Sequence, residues 1–513
     1  MKKTGIWLLG IFCFGLMAAS ISYSALLDEI LINEDGTVNV PGGTIARSLT
    51  DQIGSGRGDR YTPESSIYII KRDPFRSIRR GRQLFQRKFS VGEGLGPRVN
   101  VHSQGDIIRD RLLGAGFADS CSACHGNPKG SAGVGGNVAT FPDGRDAPHL
   151  FGLGIVEQIG NQITEELRSD RAILVAESAK FNNRMTMEMW ANNVYFGKLI
   201  AYPDGTVDTS QLEGIDADLR VRPFFAEGVL PSIREFVVGA LKAEMGLETW
   251  DPILCKATDP DKPQPMQSPT GYVFDASQDF VTRPPVCDAW VDNDGDGIVS
   301  EFDPALVDHL EFYLFNYFKP ATMRESTPYW LGLRHMTRIG CTDCHKKDHT
   351  IHADRRVADV ETRYDEKRGI FNQLFATAIP QFEVVNDGDA YPLLLPKKSS
   401  FEVENIFTDF KRHDLGPKFW ERDYDGSIKK YFMTEPLWGV GTTAPYGHDG
   451  RSISLDQVIR RHGGEAQEAR DRYVNLSSRK RRRILEFLNS LVLFPPDDTA
   501  SNLNPGDPYA DNP

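Results

Sequence analysis

The stretch GCTDCHKKDHTIH, residues 340–352, holds two cysteines and three histidines at spacings that suit a metal centre. One interpretation is zinc bound by Cys341, Cys344 and nearby histidines, because thiolates and imidazoles are preferred zinc ligands. The other is the pattern C-x-x-C-H, in which both cysteines attach a c-type haem through thioether bonds and His345 ligates the iron. The stretch alone is compatible with both.

A second copy of the pattern decides between them. Residues 121–125 read CSACH, with Cys121, Cys124 and His125 in the same three positions. Zinc would need further ligands near each copy, yet no histidine follows CSACH until His149. The sequence therefore predicts two covalently bound haems c, with His125 and His345 as iron ligands.

The start of the chain predicts export. Lys2 and Lys3 precede an apolar run over residues 6–19 and the small-residue stretch SISYSA, which indicates a signal peptide over residues 1–24. The run is shorter than the roughly 20 residues of a membrane span. We therefore expect a periplasmic or otherwise exported protein, in which Cys255 and Cys287 form a disulfide.

Composition fits a soluble enzyme of two or three domains. The 513 residues are 40% hydrophobic, and the net charge of −12 argues against nucleic acid and leaves a basic redox partner open. A basic run opens the helical pattern SSRKRRRILEFLNSL, for which a solvated face is favoured over a docking patch. Whether the chain forms homodimers stays open.

Helical patterns dominate the predicted organisation, with short strands expected near residues 391–407. The predicted divisions are an N-terminal extension (25–75), a first haem domain (76–250), a linker with the disulfide (251–304), a second haem domain (305–495) and a disordered tail (496–513).

Several motifs carry a family resemblance. The two C-x-x-C-H motifs, APYGHDGR, HDLGP and DNDGDG resemble the bacterial di-haem cytochrome c peroxidase superfamily, and within it the di-haem oxidoreductase branch, over about residues 76–495. The resemblance implies a mainly α fold of two cytochrome c-like haem domains with a calcium-loop insertion between them. It also implies calcium near the domain interface, reduction of hydrogen peroxide or a related oxidation, and a small redox protein as electron donor or acceptor.

The second haem site has a candidate ligand for the face of the iron opposite His345. Ser454 begins a capping box, and an apolar stripe of the helix that follows ends at His462, just before two glycines. The pattern alone fits ligation and a histidine at a helix end equally well. The resemblance assigns His462 the axial role that a methionine has in the peroxidases, which implies a lower potential. His349 and His352 lie too near His345 in sequence and are expected at the surface or beside the propionates.

The first haem site is expected to be open opposite His125. Where many family members have a removable distal histidine this chain has Phe141, and His149 falls in an interface loop. Alignment with the family places its catalytic glutamate near Glu244, for which a solvent-facing helix residue is the alternative. The family's glutamine and inter-haem tryptophan are replaced by Phe236 and Ala226, the latter beside Phe225.

Calcium ligands are predicted in DNDGDGIVSEFD by the spacing of a calcium-binding loop. A polar turn without metal is the alternative. The resemblance implies a second, interdomain calcium. The predicted ligands of the loop are Asp292, Asp294, Asp296, the Ile298 carbonyl and Asp303, and those of the second site are Asp146, Thr443 and Pro445.

Three functions are compatible with these residues. A peroxidase or related oxidase needs an exchangeable site on the first haem, and an oxygenase of an organic substrate would bind dioxygen there. A pure electron carrier would have both irons six-coordinate.

Overall fold

Helices alternate with short antiparallel strands along the chain. The computed structural model describes residues 31–32, 38–39, 49–89, 118, 120–127, 131–135, 137–139, 144–247, 249–284, 286–288, 300–317, 320–322, 327–360, 378–423 and 425–493. The structure is 38% helical and 17% strand, with the strands in several small sheets. The predicted fold class, mainly α with two cytochrome c-like domains, is therefore wrong.

The described α-helices range from one turn to eight turns. They are α1 Leu49–Ile53, α2 Ser66–Arg72, α3 Pro74–Gln86, α4 Cys121–His125, α5 Leu153–Phe181, α6 Ile233–Met245, α7 Pro252–Ala257, α8 Pro304–Asn316, α9 Thr327–Arg338, α10 Leu455–Arg461, α11 Gln467–Val474 and α12 Ser478–Leu488. Short 3₁₀ helices cover Cys341–Asp343, Val440–Thr442 and Gly464–Ala466. Among the described helices, none is both long enough and apolar enough to span a membrane.

The strands pair antiparallel, mostly as two-stranded hairpins or ribbons. In chain order they are β1 Leu31–Ile32, β2 Val38–Asn39, β3 Asn137–Ala139, β4 Gly144–Asp146, β5 Met185–Ala191, β6 Val194–Ala201, β7 Val207–Asp208, β8 Met266–Gln267, β9 Val273–Phe274, β10 Ala321–Thr322, β11 His349–Ile351, β12 Ala358–Val360, β13 Ala378–Pro380, β14 Phe382–Val385, β15 Leu393–Pro396, β16 Phe401–Val403, β17 Arg412–Asp414, β18 Glu421–Arg422, β19 Ile428–Lys429, β20 Tyr431–Met433 and β21 Leu491–Val492. The one described three-stranded sheet has the order β5-β6-β7.

The missed strands have a physical explanation. Most are two to four residues long, too short for an alternating pattern to be visible in the sequence. The longest hairpin, β5–β6, does carry a signal, because Asn192 and Asn193 form its two-residue turn with φ of 46° and 61°. Asparagine tolerates these left-handed angles, which such hairpin turns require.

Helix α8 lies at the centre of the larger apolar core. All 13 of its residues are buried, and it packs against α3, α5 and α6. The contact with α3 is close at Gly81, where a Cβ atom would collide with the carbonyl oxygen of His309. Apolar residues from Ile70 to Leu493 contribute to this core, so it includes parts of both predicted haem domains. The predicted domain limits themselves stay a prediction.

A buried ion cluster ties α6, α7 and α8 together. The guanidinium of Arg234 lies 2.6 Å from Asp251, 2.9 Å from Asp308 and 2.7 Å from Glu311, and all four side chains are fully buried. Asp251 also caps α7, where it accepts from the amides of residues 253 and 254. Charges this deep are tolerated only when they are paired and hydrogen-bonded, so the cluster fixes the helices relative to one another.

The expected disulfide is present. Cys255 near the end of α7 bonds Cys287, with a Cα–Cα distance of 5.4 Å. The bond closes a loop between two cysteines that are 32 residues apart in the sequence.

A second, smaller apolar cluster forms where α9 and α12 pack together. Gly332 allows the contact, because a Cβ atom there would collide with the Arg483 carbonyl. Tyr329, Met336 and Phe487 are buried in this cluster, and Cys341 packs against its edge. The second C-x-x-C-H motif therefore follows directly from an element of this cluster.

Candidate haem-binding sites

The first C-x-x-C-H motif forms helix α4. Ser120 caps it by accepting from the Ala123 amide at 3.1 Å, which starts a helical turn at Cys121. Cys121 and Cys124 then lie one turn apart on the same short helix, half-buried against the larger core. This is the spacing at which two thiols can reach one edge of a single porphyrin.

His125 presents one ring nitrogen to a ligand. Its Nδ1–H donates to the Pro148 carbonyl at 2.7 Å, and burial lowers the pKa of the ring. A neutral imidazole whose Nδ1 is committed to a carbonyl leaves the Nε2 lone pair for a metal.

The second motif repeats the same arrangement with a different local turn. Cys341 begins a 3₁₀ helix, and the His345 amide donates to the Cys341 carbonyl at 3.0 Å. His345 Nδ1–H donates to the Phe407 carbonyl at 3.1 Å, and burial lowers its pKa to about 4. His345 is therefore also a neutral ligand with Nε2 available.

His462 shares this pattern and lies close to His345. Ser454 caps α10 by accepting from the Gln457 amide, and His462 is the residue at the helix end. Its Nδ1–H donates to the Val458 carbonyl at 2.7 Å, and burial lowers its pKa. Burial has the largest effect on the pKa of His345, and the positive charge of His462 lowers it further, so the two rings are within electrostatic range of each other.

Partly exposed apolar side chains lie around the second C-x-x-C-H motif. Leu437, Val440, Tyr446 and Ile459 are only partly buried, and with Cys341 they pack against the smaller cluster. Partly exposed apolar residues around two cysteines and two buried, neutral imidazoles are what a haem would cover. The residues present thus fit a haem at this site.

His349 and His352 make contacts with other groups. His349 is 2% exposed and donates from Nε2 to the Thr408 carbonyl at 2.7 Å. His352 is exposed and lies 3.5 Å from Glu166.

Both ring nitrogens of His149 have hydrogen-bond partners. Its Nδ1 accepts from the Phe151 amide at 3.2 Å, and its Nε2–H donates to the Trp438 carbonyl at 3.2 Å. Burial lowers its pKa to about 4. A ring held in this way has no lone pair left for iron. Phe141, the residue at the distal-histidine position, lies outside the described residues.

Glu244 lies in the last turn of α6, beside the first motif. Its backbone carbonyl accepts from the Ala118 amide at 3.1 Å, and the sulfur of the next residue, Met245, is 3.9 Å from Cys121 Sγ. The carboxyl is half-buried, and burial raises its pKa. A carboxyl that holds a proton more strongly than usual is suited to proton exchange.

The aromatic residues predicted near the first site pack on one another. Phe236 contacts Phe224 and Phe225, with ring centroids 6.2 Å and 5.5 Å apart. Phe225 is 47% exposed with φ of 61°. The Ala226 carbonyl accepts from the Met433 amide at 2.7 Å, which joins this segment to β20.

Only one ligand of the predicted calcium loop lies within the described residues. Asp292, Asp294, Asp296 and Ile298 lie outside the described residues. Asp303 is described, and its carboxylate caps α8 by accepting from the Ala305 amide at 2.7 Å.

At the interdomain site, Asp146 approaches the loop that contains Thr443 and Pro445. The Asp146 amide donates to the His448 carbonyl at 3.2 Å. Within the described residues Asp146 Oδ1 is buried with no hydrogen-bond partner, and burial raises its pKa to about 6. A buried carboxylate oxygen without a donor fits a hard cation such as calcium.

One charged group beside the second site was not assigned a role from the sequence. His413 lies 2.9 Å from Asp409 and 2.7 Å from Glu465. Burial opposes its charge, but the hydrogen bond to the Asp409 carboxylate raises its pKa above the ordinary value. His413 with Asp409 and Cys344 would also have metal-ligand spacing, but Cys344 is the predicted haem attachment. The HDLGP motif that begins at His413 was the only available signal.

Comparison with known proteins finds a family match within the second half of the chain. Residues 345–491 match the family described as di-haem oxidoreductase, putative peroxidase. No curated protein matches the chain.

Among solved structures, one match is a Kuenenia stuttgartiensis hydrazine synthase examined under xenon pressure, at 14% identity and a TM-score of 0.22. The match covers 38% of this chain and 57% of that one. At this TM-score the likeness carries no argument about fold or function. The match to the di-haem oxidoreductase family covers residues 345–491 and includes His345 and His462.

Proposed function

We propose that the protein is an exported c-type di-haem peroxidase, in which hydrogen peroxide is reduced at the first haem site and electrons enter through the second. Haem would be attached covalently at Cys121 and Cys124 and at Cys341 and Cys344. The observation that carries the proposal is an asymmetry between the sites. His345 has a second available imidazole near it, whereas His149, the next histidine after His125 in the sequence, has hydrogen-bond partners at both ring nitrogens.

The asymmetry separates two roles. An iron held between His345 and His462 has no vacant position and suits electron transfer. An iron held by His125 alone has a vacant position at which peroxide can react. The bound haems would supply the two electrons that, with two protons, convert hydrogen peroxide to two waters.

The protein's part in that reaction is to move the proton. The Glu244 carboxylate would take the proton from one peroxide oxygen and return it to the other, which leaves as water. The raised pKa of Glu244 favours the return step, because a weaker acid holds the proton until the departing oxygen needs it.

Calcium would hold the parts of the protein together around the sites. The interdomain ion would bind the Asp146 carboxylate with the carbonyls of Thr443 and Pro445, which joins β4 to the segment before α10. The loop ion would bind Asp292, Asp294, Asp296 and the Ile298 carbonyl. One carboxylate oxygen of Asp303 already accepts the hydrogen bond that caps α8, so we expect at most the other oxygen to bind calcium.

Export to the periplasm is supported by the Cys255–Cys287 bond, because disulfides persist in oxidising compartments. Haem c attachment in bacteria would take place on the same side of the membrane.

A docking surface for the electron donor is available near the second site. We call it the basic face, and it is formed by exposed residues of α9 and α12. Its members are Trp330, Arg334, Arg338, Arg479 and Lys480. His335 lies among them, since after burial the charges of Lys480, Arg338 and Arg334 lower its pKa.

The position of this face suits electron entry. Helix α9 ends at Arg338, three residues before Cys341, so a docked protein would lie next to the second haem. In a chain of net charge −12, a local positive surface would select an acidic small redox protein. The exposed Trp330 adds an aromatic contact of the kind found at interfaces.

The spin states of the oxidised protein test the proposal. We expect electron paramagnetic resonance to show one low-spin haem and one high-spin haem, and only the high-spin signal should change on adding peroxide. Two low-spin haems that both ignore peroxide, in the oxidised and half-reduced protein alike, would establish an electron carrier instead.

A further inference from the structure

We propose that four hydrogen bonds form a continuous through-bond route for electrons between the two proximal histidines, with His149 as its central link. The proposal rests on the two haem sites of the proposed function but not on the reaction with peroxide. One electron leaves the second site and one arrives at the first, so the transfer needs no reactant beyond the electron donor already named.

The route begins at the first site. His125 Nδ1–H donates to the Pro148 carbonyl at 2.7 Å. Pro148 is bonded to His149 by one peptide link, and His149 Nε2–H donates to the Trp438 carbonyl at 3.2 Å. Two hydrogen bonds thereby connect the first haem ligand to Trp438, which lies 289 residues beyond His149 in the sequence.

The route continues to the second site in the same way. The amide of Leu437, which precedes Trp438, donates to the Ile406 carbonyl at 2.9 Å. The carbonyl of the next residue, Phe407, accepts from His345 Nδ1–H at 3.1 Å. Each of the three covalent stretches between the hydrogen bonds spans two adjacent residues.

The surroundings keep the part of the route from Trp438 to Phe407 ordered and dry. Trp438 is 3% exposed, and Ile406 and Phe407 are fully buried. Hydrogen bonds in such an environment are stronger than in water and hold their geometry. Trp438 packs in the larger core while Leu437 packs against the smaller cluster, so the route crosses where the two apolar clusters meet.

Its hydrogen bonds hold His149 in the tautomer that the route requires. Because Nδ1 accepts from the Phe151 amide, the ring proton must be on Nε2, and it points to the Trp438 carbonyl. The position at which the family resemblance places a bridging tryptophan holds Ala226, and the neighbouring Phe225 is 47% exposed. A route through His149 would serve in place of that aromatic bridge.

Two isosteric variants separate the functions of the two His149 nitrogens. In His149→Asn the amide group takes the place of Nδ1, so the contact with the Phe151 amide is kept and the bond to Trp438 is lost. In His149→Gln the longer amide reaches the Nε2 position and can still donate to the Trp438 carbonyl. We expect several-fold slower electron transfer between the haems in His149→Asn and a nearly native rate in His149→Gln.

The measurement uses the full-length protein with both haems bound. A flash-generated flavin semiquinone delivers one electron, and the absorbance of the two haems reports its redistribution as a first-order phase that does not depend on protein concentration. The reduction potentials of both haems are measured in the same samples, and rates are compared at equal driving force.

His349→Asn is the matched control. His349 is buried beside the second site and also donates to a carbonyl, that of Thr408 at 2.7 Å, but it is not part of the route. A native rate is expected for it. The proposal is overturned if His149→Asn transfers electrons as fast as the native protein, if His349→Asn is slowed equally, or if the native protein has no concentration-independent phase. No peroxide is added, so a failed peroxidase assay would leave this result standing.

Discussion

Replacing Glu244 by glutamine tests the proposed proton transfer most directly. Glutamine keeps the size of the side chain and removes the ability to exchange a proton. General acid–base assistance contributes about 10²–10⁴-fold to a rate. Because Glu244 is half-buried and water can take over part of its function, we expect a loss near the lower end, of about 100-fold.

Stopped-flow mixing of the half-reduced protein with hydrogen peroxide measures this loss. The slope of the observed rate against peroxide concentration gives the second-order rate constant, and both haems should retain their native absorption before mixing. Glu235→Gln is the matched control, because it removes a carboxylate from the other end of the same helix, about 14 Å away along the axis. Glutamine can also replace glutamate in the capping contact with Ser232, so α6 should persist.

The pH dependence gives a second, independent outcome. The carboxylate must be ionised to accept the first proton, and burial raises its pKa above the ordinary 4.5. As the pH falls, the native rate should therefore decline at a higher pH than an ordinary glutamate would cause, and Glu244→Gln should lack this decline. An unchanged rate constant in Glu244→Gln, or an equal loss in Glu235→Gln, would refute the role of Glu244.

The remaining predictions concern ligation, stability, calcium and docking. His462→Ala should make the second haem high-spin by electron paramagnetic resonance whereas His349→Ala should not, and an unchanged low-spin signal would show that His462 only packs. Arg234→Met should lower the free energy of unfolding by about 3–5 kcal/mol in urea titrations, since it leaves buried carboxylates unpaired. The loss should be smaller at acidic pH, because burial already raises the pKa of Glu311 and protonation then removes its charge. Arg222→Met is the control, because Asp216 and Asp218, the partners of Arg222, are 47% and 34% exposed and can be solvated without it; we expect a change of at most about 1 kcal/mol, and equal losses would contradict the reasoning. Chelation should lower the thermal unfolding temperature, and calorimetric titration should detect one calcium site fewer in Asp146→Asn than in the native protein; an equal number would exclude that site. Reduction by an acidic redox protein should slow as salt is raised, and a salt-independent rate would exclude docking at the basic face.

The sequence could predict what depends on a few neighbouring residues. The two C-x-x-C-H motifs each place two thiols and an imidazole within one turn, so their chemistry is readable before any fold is known. The pairing of Cys255 with Cys287 followed by elimination once the other cysteines were assigned, and it is confirmed. Ser454 caps α10 as its sequence predicts, and the cap sets where His462 ends the helix.

The fold class could not be predicted in the same way. The helical patterns were visible because helices repeat over many residues, whereas strands of two to four residues have no period to detect. The Asn192–Asn193 turn was a usable signal for the longest hairpin. Most other pairings, such as β11 with β16, join segments whose partners the local sequence does not specify.

What the sequence by itself determined is the chemistry of each haem motif, because three residues within five positions suffice for it. What only the tertiary structure decided is the setting of those motifs. The proximal histidines donate to the carbonyls of Pro148 and Phe407, 23 and 62 residues away, and His149 donates to Trp438, 289 residues away. Any backbone carbonyl can accept such a bond, so the sequence does not indicate which carbonyl each histidine will use. Burial of the surrounding apolar residues brings these groups together, and that depends on the whole chain at once.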